Sequence, residues 1–265
     1  MNDLSRPDSP PSKSIAALSL SAPLHWLRAG WLDLARAPAT SLFYGIAFWL
    51  MARVMALVFQ SSPEYTMSIA SGCLLLGPFL ALGLYDVSRS HDQGVPPRLM
   101  ASLVCWKPHV RSMGMLVLVL MVLELLWGRA SLVVFAVFFN TGMPSTLNVV
   151  QAIFNPENLD FLVAYTVVGG AFAALVFAIS VVSIPMILDR DTDAISASIT
   201  SLEVVFANPA VMLVWGATLT TLIVVSFLFP WGLGLLLIGP LLGHASWHAY
   251  RGAVLWQAAA PDAAN

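Results

Sequence analysis

Charged side chains are scarce in this sequence. Asp, Glu, Lys and Arg together make up 10% of the 265 residues, whereas 58% are hydrophobic. A soluble globular chain is about 25% charged and 45–50% apolar, so this chain has too few charges to cover a water-facing surface. The composition therefore excludes an ordinary soluble domain and favours a membrane protein.

Cysteine and the motifs of common enzymes are also scarce or missing. Only two cysteines occur, Cys73 and Cys105, which excludes a disulfide framework and a cysteine-based zinc site. The sequence has no Gly-rich phosphate loop, no HExxH and no GxSxG motif. The net charge of -2, without a basic stripe, gives no indication of a nucleic acid partner. We therefore expect no cofactor, and the sequence leans away from an enzyme.

What the sequence does contain is a set of apolar segments long enough to cross a bilayer. A span needs about 20 mostly apolar residues to cross roughly 30 Å of hydrocarbon. These features predict an all-α fold, a polytopic transmembrane helical bundle of about six spans whose last two form a tight hairpin. The predicted spans are Pro38–Phe59, Thr66–Tyr85, Met113–Phe139, Phe161–Leu188, Pro209–Phe229 and Trp231–Tyr250.

The basic residues fall on one side of this six-span arrangement. Of the 12 Lys and Arg residues, all except Arg53 and Arg129 lie in the termini and in the loops of a single side. Short cytoplasmic loops carry the Lys and Arg excess in membrane proteins. We therefore predict that both termini are cytoplasmic, and that residues 60–65, residues 140–160 and the tip of the last hairpin lie outside.

Prolines recur at corresponding places and predict repeated units. Pro38, Pro108 and Pro209 open the first, third and fifth spans, and each follows a short segment with apolar residues at helical spacing. Proline is tolerated at the start of a helix, where its missing N–H would have no partner. The pattern predicts three parallel hairpin repeats, each with a short cytoplasmic amphipathic helix, a proline corner and two spans. The alternative is that prolines recur by chance, since the chain has 17 of them.

The repeats set the predicted boundaries within the chain. A proline in each returning span is predicted to kink its helix, at Pro78, Pro185 and Pro240. The apolar residues of the three short helices are Leu24, Leu27, Trp31 and Leu34, then Leu99, Leu103 and Trp106, then Ile195, Ile199, Leu202 and Phe206. The predicted segments are a disordered tail at 1–20, one membrane domain at 21–253 with units at about 21–88, 89–189 and 190–253, and a short tail at 254–265.

Charged residues inside the predicted spans are costly and therefore mark candidate sites. An ionisable group at mid-bilayer costs about 2.5–3.5 kcal/mol on insertion scales. Arg53 and Glu124 lie at similar depths in the first and third spans, which predicts an ion pair between them, and Arg129 lies further out. In a second interpretation Arg53 and Arg129 reach the outer headgroups, while Glu124 is protonated or faces water. In a third, these residues line a proton or substrate path.

Polar residues also gather where the returning spans reach the cytoplasmic side. We expect these side chains to pair between units and to hold the inner helices against the bundle. They are Asp86, Arg89, Asp189, Arg190, Asp191 and Asp193.

Two histidines share one face of the sixth span. His244 and His248 lie four residues apart, a spacing that suits a shared metal ion or a haem ligand. The signal is weak because no Met or Cys ligands lie nearby. Structural hydrogen bonding is the preferred interpretation, and no metal site is predicted.

Five stretches of the sequence carry a resemblance to known proteins. They are Gly30–Leu34, Gly77–Asp86, Ile184–Asp191, Ala207–Gly216 and Gly243–His248. In these stretches the chain resembles a family of bacterial integral membrane proteins of unknown function. The resemblance implies a location in the bacterial inner membrane. Some members are labelled cytochrome c oxidase subunits, which implies a respiratory association, and no catalytic residues come with the resemblance.

Two classes of function remain. The favoured one is a non-catalytic protein that packs with, or assists, a membrane complex. Its partners would be the lipid bilayer and that complex, a respiratory oxidase if the resemblance holds. This class predicts an apolar bundle without a continuous polar pathway. The alternative is a transporter or channel for a small solute or ion, which predicts a water-filled cavity lined by Arg53, Glu124 and His244.

Overall fold

The described part of the chain is almost entirely helical, and short helices alternate with long ones. The computed structural model describes residues 13–61, 66–138 and 158–256. Its elements are β1 (Lys13–Ile15), α1 (Ala22–Arg36), α2 (Pro38–Ser61), α3 (Thr66–Asp92), α4 (Leu99–Val104), a 3-10 turn (Lys107–His109), α5 (Val110–Phe138), α6 (Leu159–Ser180), α7 (Ser183–Arg190), α8 (Ala194–Ala207), α9 (Pro209–Leu228), a 3-10 turn (Pro230–Gly232), α10 (Leu235–Ala253) and β2 (Val254–Trp256).

Two of the predicted proline corners have nearly the same backbone geometry. Ala37, before Pro38, has φ -129° and ψ 59°, and Asn208, before Pro209, has φ -132° and ψ 53°. A residue that precedes proline is pushed out of the α region by the proline ring. The short helices α1 and α8 therefore end here, and the chain turns directly into α2 and α9.

Four segments of the described chain are long and apolar enough to cross a membrane. They are Pro38–Ser61, Leu99–Phe138, Leu159–Arg190 and Pro209–Leu228. The second and sixth predicted spans are occupied by α3 and α10, continuous helices of 27 and 19 residues that are not among the four. The histidines and Arg251 of α10 lower its hydropathy. The prediction of an all-α membrane protein is confirmed at this level.

The three predicted proline kinks have different outcomes. Helices α3 and α10 continue through Pro78 and Pro240. The fourth predicted span is instead divided, because α6 ends at Ser180 and α7 begins at Ser183. Pro185 accounts for the division, since proline has no N–H and its ring clashes with the carbonyl four residues earlier, at Val181.

The first short helix exposes only part of its predicted apolar stripe. Helix α1 packs against α10 with the face that carries Trp26, Gly30 and Asp33. Leu24 is 69% exposed and Trp31 is 49% exposed. Leu27 packs against the core and Leu34 is half-buried, so the predicted stripe lies partly on the outward side of α1 and partly against the bundle.

Helix α8 exposes most of its predicted apolar stripe. It buries small and hydroxyl-bearing residues, among them Ala197, Thr200 and Ser201, while Ile195 and Phe206 are 67% and 77% exposed. A soluble protein rarely leaves such an apolar face uncovered. Both short helices are therefore suited to lie between the bundle and lipid.

Glycines allow α10 to approach two other helices closely. A Cβ at Gly30 of α1 would lie 2.7 Å from the backbone nitrogen of Ala245. A Cβ at Gly45 of α2 would overlap the backbone carbonyl of Leu236. Backbones come this close in membrane bundles where small residues line the interface.

The two ends of the described chain are joined. Strands β1 and β2 pair antiparallel, with Lys13 opposite Trp256. The Asn208 side chain accepts a hydrogen bond from the Leu18 N–H at 2.8 Å and donates one to the Ala16 carbonyl at 3.0 Å. Residues 13–20 and 254–256 thus differ from the predicted tails, because each finds backbone partners far away in the sequence. Residues 1–12 and 257–265 of those tails lie outside the described residues.

The close approach at Gly45 leads to a prediction about stability. Gly45→Val should lower the free energy of unfolding of the purified protein by about 1–3 kcal/mol, the usual range for overpacking. The reason is that α10 would have to move away from α2. The matched control is Gly114→Val in α5, where a Cβ meets no other atom within 4 Å. Thermal unfolding in the same detergent would compare the two variants. Equal losses would contradict the contact.

Candidate functional site

A buried carboxylate, that of Asp33, lies at the centre of a polar cluster at one end of the bundle. Its side chain is only 3% exposed. His91 of α3 places Nδ1 3.0 Å from Oδ1, and His248 of α10 places Nε2 2.7 Å from Oδ2. The exposed Arg36 guanidinium lies 3.7 Å from Oδ1. Asp33 therefore ties the last turn of α1 to the ends of α3 and α10.

The environment of Asp33 favours its charged form. Burial raises the pKa of this carboxyl group. Hydrogen bonds from His248 and Ser88, together with the attraction of His248 and His244, lower the pKa by more than burial raises it, so that it lies below its ordinary value. Asp33 is therefore an anion at neutral pH. An ionised carboxylate can only accept hydrogen bonds, so each histidine donates to it.

His244 lies next to this carboxylate and is fully buried. Its Nε2 is 2.9 Å from the Ser41 hydroxyl of α2, and its Nδ1 is 2.8 Å from the Ser88 hydroxyl of α3. In a neutral imidazole one nitrogen donates and the other accepts, and hydroxyls can take either role. The ring is thus satisfied by α2 and α3, and it joins α10 to both.

Two further aspartates receive hydrogen bonds from the last turns of α10. The Trp247 indole donates to Oδ2 of Asp92 at 2.8 Å. The Tyr250 hydroxyl donates to Oδ2 of Asp189 at 2.7 Å, and Arg251 reaches the same oxygen at 3.4 Å. Helix α10 therefore binds the ends of both α3 and α7.

The polar residues expected at this end of the bundle are partly brought together. Arg89 donates to the Leu188 carbonyl at 3.2 Å, which links α3 to α7. Arg190 pairs with its neighbour Asp189 at 3.1 Å and lies over the Trp256 ring, 4.7 Å from its centroid. These contacts fasten α7 to both α3 and β2.

The other expected members occupy the edges of this cluster. Asp191 Oδ1 lies 2.9 Å from Nδ1 of His109. Asp193 caps α8 by accepting hydrogen bonds from the Ile195 and Ser196 N–H groups, both at 2.9 Å. A hydrogen bond from the Ser196 side chain, together with these two bonds, lowers the pKa of Asp193. Asp86 is half-buried on α3.

The charged residues within the long helices do not belong to this cluster. Arg53 is half-buried on α2, Glu124 is half-buried on α5, and Arg129 is exposed on α5. The ion pairs between described residues do not join Arg53 to Glu124, so that pair stays a prediction. Arg129 borders an apolar cavity of about 470 Å³ between α2 and α5.

The two histidines considered as metal ligands have separate protein partners. His244 contacts hydroxyls through both ring nitrogens, whereas His248 contacts Asp33. Within the described residues, no group of three or more His, Cys, Asp or Glu side chains is placed to hold a metal ion. A metal at His244 would have to displace a serine.

Sequence reasoning missed the centre of the cluster, namely Asp33 with His91, Ser41 and Ser88. A signal was present in α1, where Trp26, Gly30 and Asp33 follow one another at helical spacing. That spacing places an acidic residue on the face opposite to the apolar stripe. Its partners could not be inferred, because they lie 58 and 215 residues further along the chain.

The buried carboxylate leads to a second prediction. Asp33→Asn should destabilise the protein by about 2–4 kcal/mol, because the amide offers one acceptor to two histidines and loses the charge. Arg36→Gln removes the exposed partner of the same carboxylate and should change stability by less than about 1 kcal/mol. Thermal unfolding at neutral pH would compare the variants. A larger loss of stability in Arg36→Gln than in Asp33→Asn would contradict the view that the buried histidines, and not Arg36, are the main partners of Asp33.

The same variant has a pH signature. Because the folded-state pKa of Asp33 lies below the ordinary value of about 3.9, its charge stabilises the fold fully above that value. The stabilisation is lost as the pH falls through the folded-state pKa. The stability difference between wild type and Asp33→Asn should therefore hold down to about pH 4 and shrink as the pH falls below that value. A difference that grows on acidification would contradict this sign.

Comparison with known proteins supports the membrane class and adds no activity. Residues 65–189 match the family described as "Predicted integral membrane protein (DUF2189)". Searches of curated proteins and of solved structures found no match. The family description does not carry the cytochrome c oxidase label that the resemblance implied. The matched region runs from before α3 to the end of α7, and it is that of an integral membrane protein of unknown function.

Proposed function

We propose that this chain is a six-span protein of the bacterial inner membrane that packs with, or assists, a membrane complex without catalysing a reaction. Three parallel hairpin units form its bundle, and both termini are cytoplasmic. The observation that carries the functional part is that most polar side chains at one end of the bundle pair with one another, while the cavities are lined mainly by apolar side chains.

The polar cluster supports α3 and α10 as spans. Ser41 in the first turn of α2 and His91 in the last turns of α3 belong to this end of the bundle. His109, just before α5, contacts Asp191, just after α7, and Arg251 ends α10. A helix that leaves this end and crosses a bilayer must be followed by one that crosses back. Each crossing by α2, α5 or α9 therefore requires a return by α3, α6–α7 or α10.

The packing of the short helices supports three equivalent units. Helix α4 packs against α3, helix α8 packs against α6 and α7, and α1 packs against α10. For α4 and α8, the partner is the returning helix of the preceding unit. For α1, in the first unit, the partner is the returning helix of the third unit, so the three units form a ring. Chance recurrence of proline does not account for this cyclic order.

The distribution of charge supports the orientation. Within the described ranges, the basic residues outside the long helices lie at the end that carries the polar cluster. The excess of Lys and Arg favours the cytoplasm for this end. The pairing of β1 with β2 places both ends of the described chain on the same side. An even number of crossings is required for that arrangement.

The character of the cavities favours a packing role over transport. Cavities of about 280, 430 and 520 Å³ are lined almost entirely by apolar side chains. None of these three is lined by Arg53, Glu124 or His244, the residues that a transport path would use. The largest of them lies between α6, α8 and α9, around Gly216 and Ala217, and opens an apolar face to a neighbouring helix.

Cysteine accessibility tests the topology. Gln93→Cys, between α3 and α4, and Trp231→Cys, between α9 and α10, should be introduced separately after both native cysteines are replaced by serine. We expect an impermeant thiol reagent to label Gln93→Cys only in inside-out vesicles and Trp231→Cys only in intact spheroplasts. The two residues act as matched controls for each other. Labelling of both from one side would contradict six crossings.

Purification at native expression tests the functional part. In a mild detergent the protein should migrate with other membrane proteins at defined stoichiometry, and an absorption scan of that complex would reveal a haem-containing partner. The Asp33→Asn variant is the control, because a weakened bundle should lose the partner. An isolated, colourless protein would contradict the association. Solute uptake by vesicles that contain the protein alone would favour the transporter.

A further inference from the structure

Arg129 departs from the charge asymmetry of the chain, and it borders an apolar groove. It lies on α5, at the far end of that helix from the polar cluster. Phe59 of α2 faces this part of α5 across the cavity of about 470 Å³. The α5 side of the groove consists of Leu125, Gly128, Arg129, Ser131, Leu132 and Phe135.

Among the described residues that line the groove, Arg129 is the one with a charged side chain. The Ser131 hydroxyl is already used, because it donates to the Gly128 carbonyl at 2.8 Å. No hydrogen bond or ion pair joins Arg129 to any other residue in the described ranges. An arginine at this depth costs insertion free energy, and a bound anion would recover part of it. The groove therefore combines a cation at its rim with walls suited to hydrocarbon.

We propose that this groove binds one phospholipid, with the phosphate on Arg129 and an acyl chain between Phe59 and Leu132. Arginine matches phosphate geometry because its planar guanidinium can donate two parallel hydrogen bonds. The apolar walls would gain nothing from a small soluble anion, whereas an acyl chain fills them. The cavity also lies within the roughly 300–1,000 Å³ that ligand pockets span.

The inference is independent of the proposed partner complex. It uses the proposed orientation only to place the lipid in the outer leaflet. Lipid retention can be measured on the isolated full chain, so failure of the complex and failure of the lipid site give different results.

Native mass spectrometry of the full-length protein tests the site. The wild type, after delipidation and titration with phosphatidylglycerol, should retain one lipid at higher affinity than the next. Arg129→Gln should weaken that first binding step about tenfold, since a charge-assisted pair with phosphate is lost. Leu132→Trp, which fills the groove and leaves the charge in place, should weaken it as well.

The controls separate this site from general charge attraction. Arg111→Gln removes an exposed arginine from the opposite end of α5 and should leave the first binding step unchanged. Unchanged thermal unfolding of each delipidated variant would show that the bundle is intact. Equal affinity in Arg129→Gln, an equal loss in Arg111→Gln, or competition by millimolar inorganic phosphate would each overturn the proposal.

Discussion

The buried carboxylate of Asp33 is the interaction on which the described bundle depends. A carboxylate removed from water is costly unless it is paired and fully hydrogen-bonded. Here the partners come from α3 and α10, so the charge is satisfied only when both helices end at the same place as α1. His244 extends this arrangement to α2 through Ser41. These contacts bring the start of α2 and the ends of α3 and α10 to the same end of the bundle.

The helices around this cluster are held by close backbone contacts and hydrogen bonds, which is how helices associate in lipid. Lipid is as apolar as leucine, so close backbone approach and hydrogen bonds must hold helices together. Gly30 and Gly45 supply the approach, and Ser41 and Ser88 supply the hydrogen bonds. Two of the larger apolar residues of α8, Ile195 and Phe206, are left to face outward. The polar cluster and the outward-facing apolar residues thus have one physical cause, namely that lipid rather than water would surround the bundle.

Features that depend on local sequence were predictable, and those that depend on distant partners were not. Low charge and long apolar segments predict membrane helices, and proline predicts the corners at Pro38 and Pro209, because each effect acts within one or two turns. A kink was predicted at each of three prolines, but Pro78 and Pro240 lie inside continuous helices whereas Pro185 follows a break, so proline alone did not distinguish the three. The partners of Asp33 and the pairing of β1 with β2 lie too far apart in sequence for any local pattern to reveal them.

The pairing of the first helix with the last has a consequence for biosynthesis. Among the described helices, α1 leaves the ribosome before α10, which covers Gly30 and supplies His248 to Asp33. Until α10 arrives, the face of α1 that carries Asp33 has no cover and its carboxylate lacks one of its two histidine partners. A nascent chain that stops short of α10 would therefore leave this carboxylate open to water, and the burial of Asp33 completes only when α10 packs against α1.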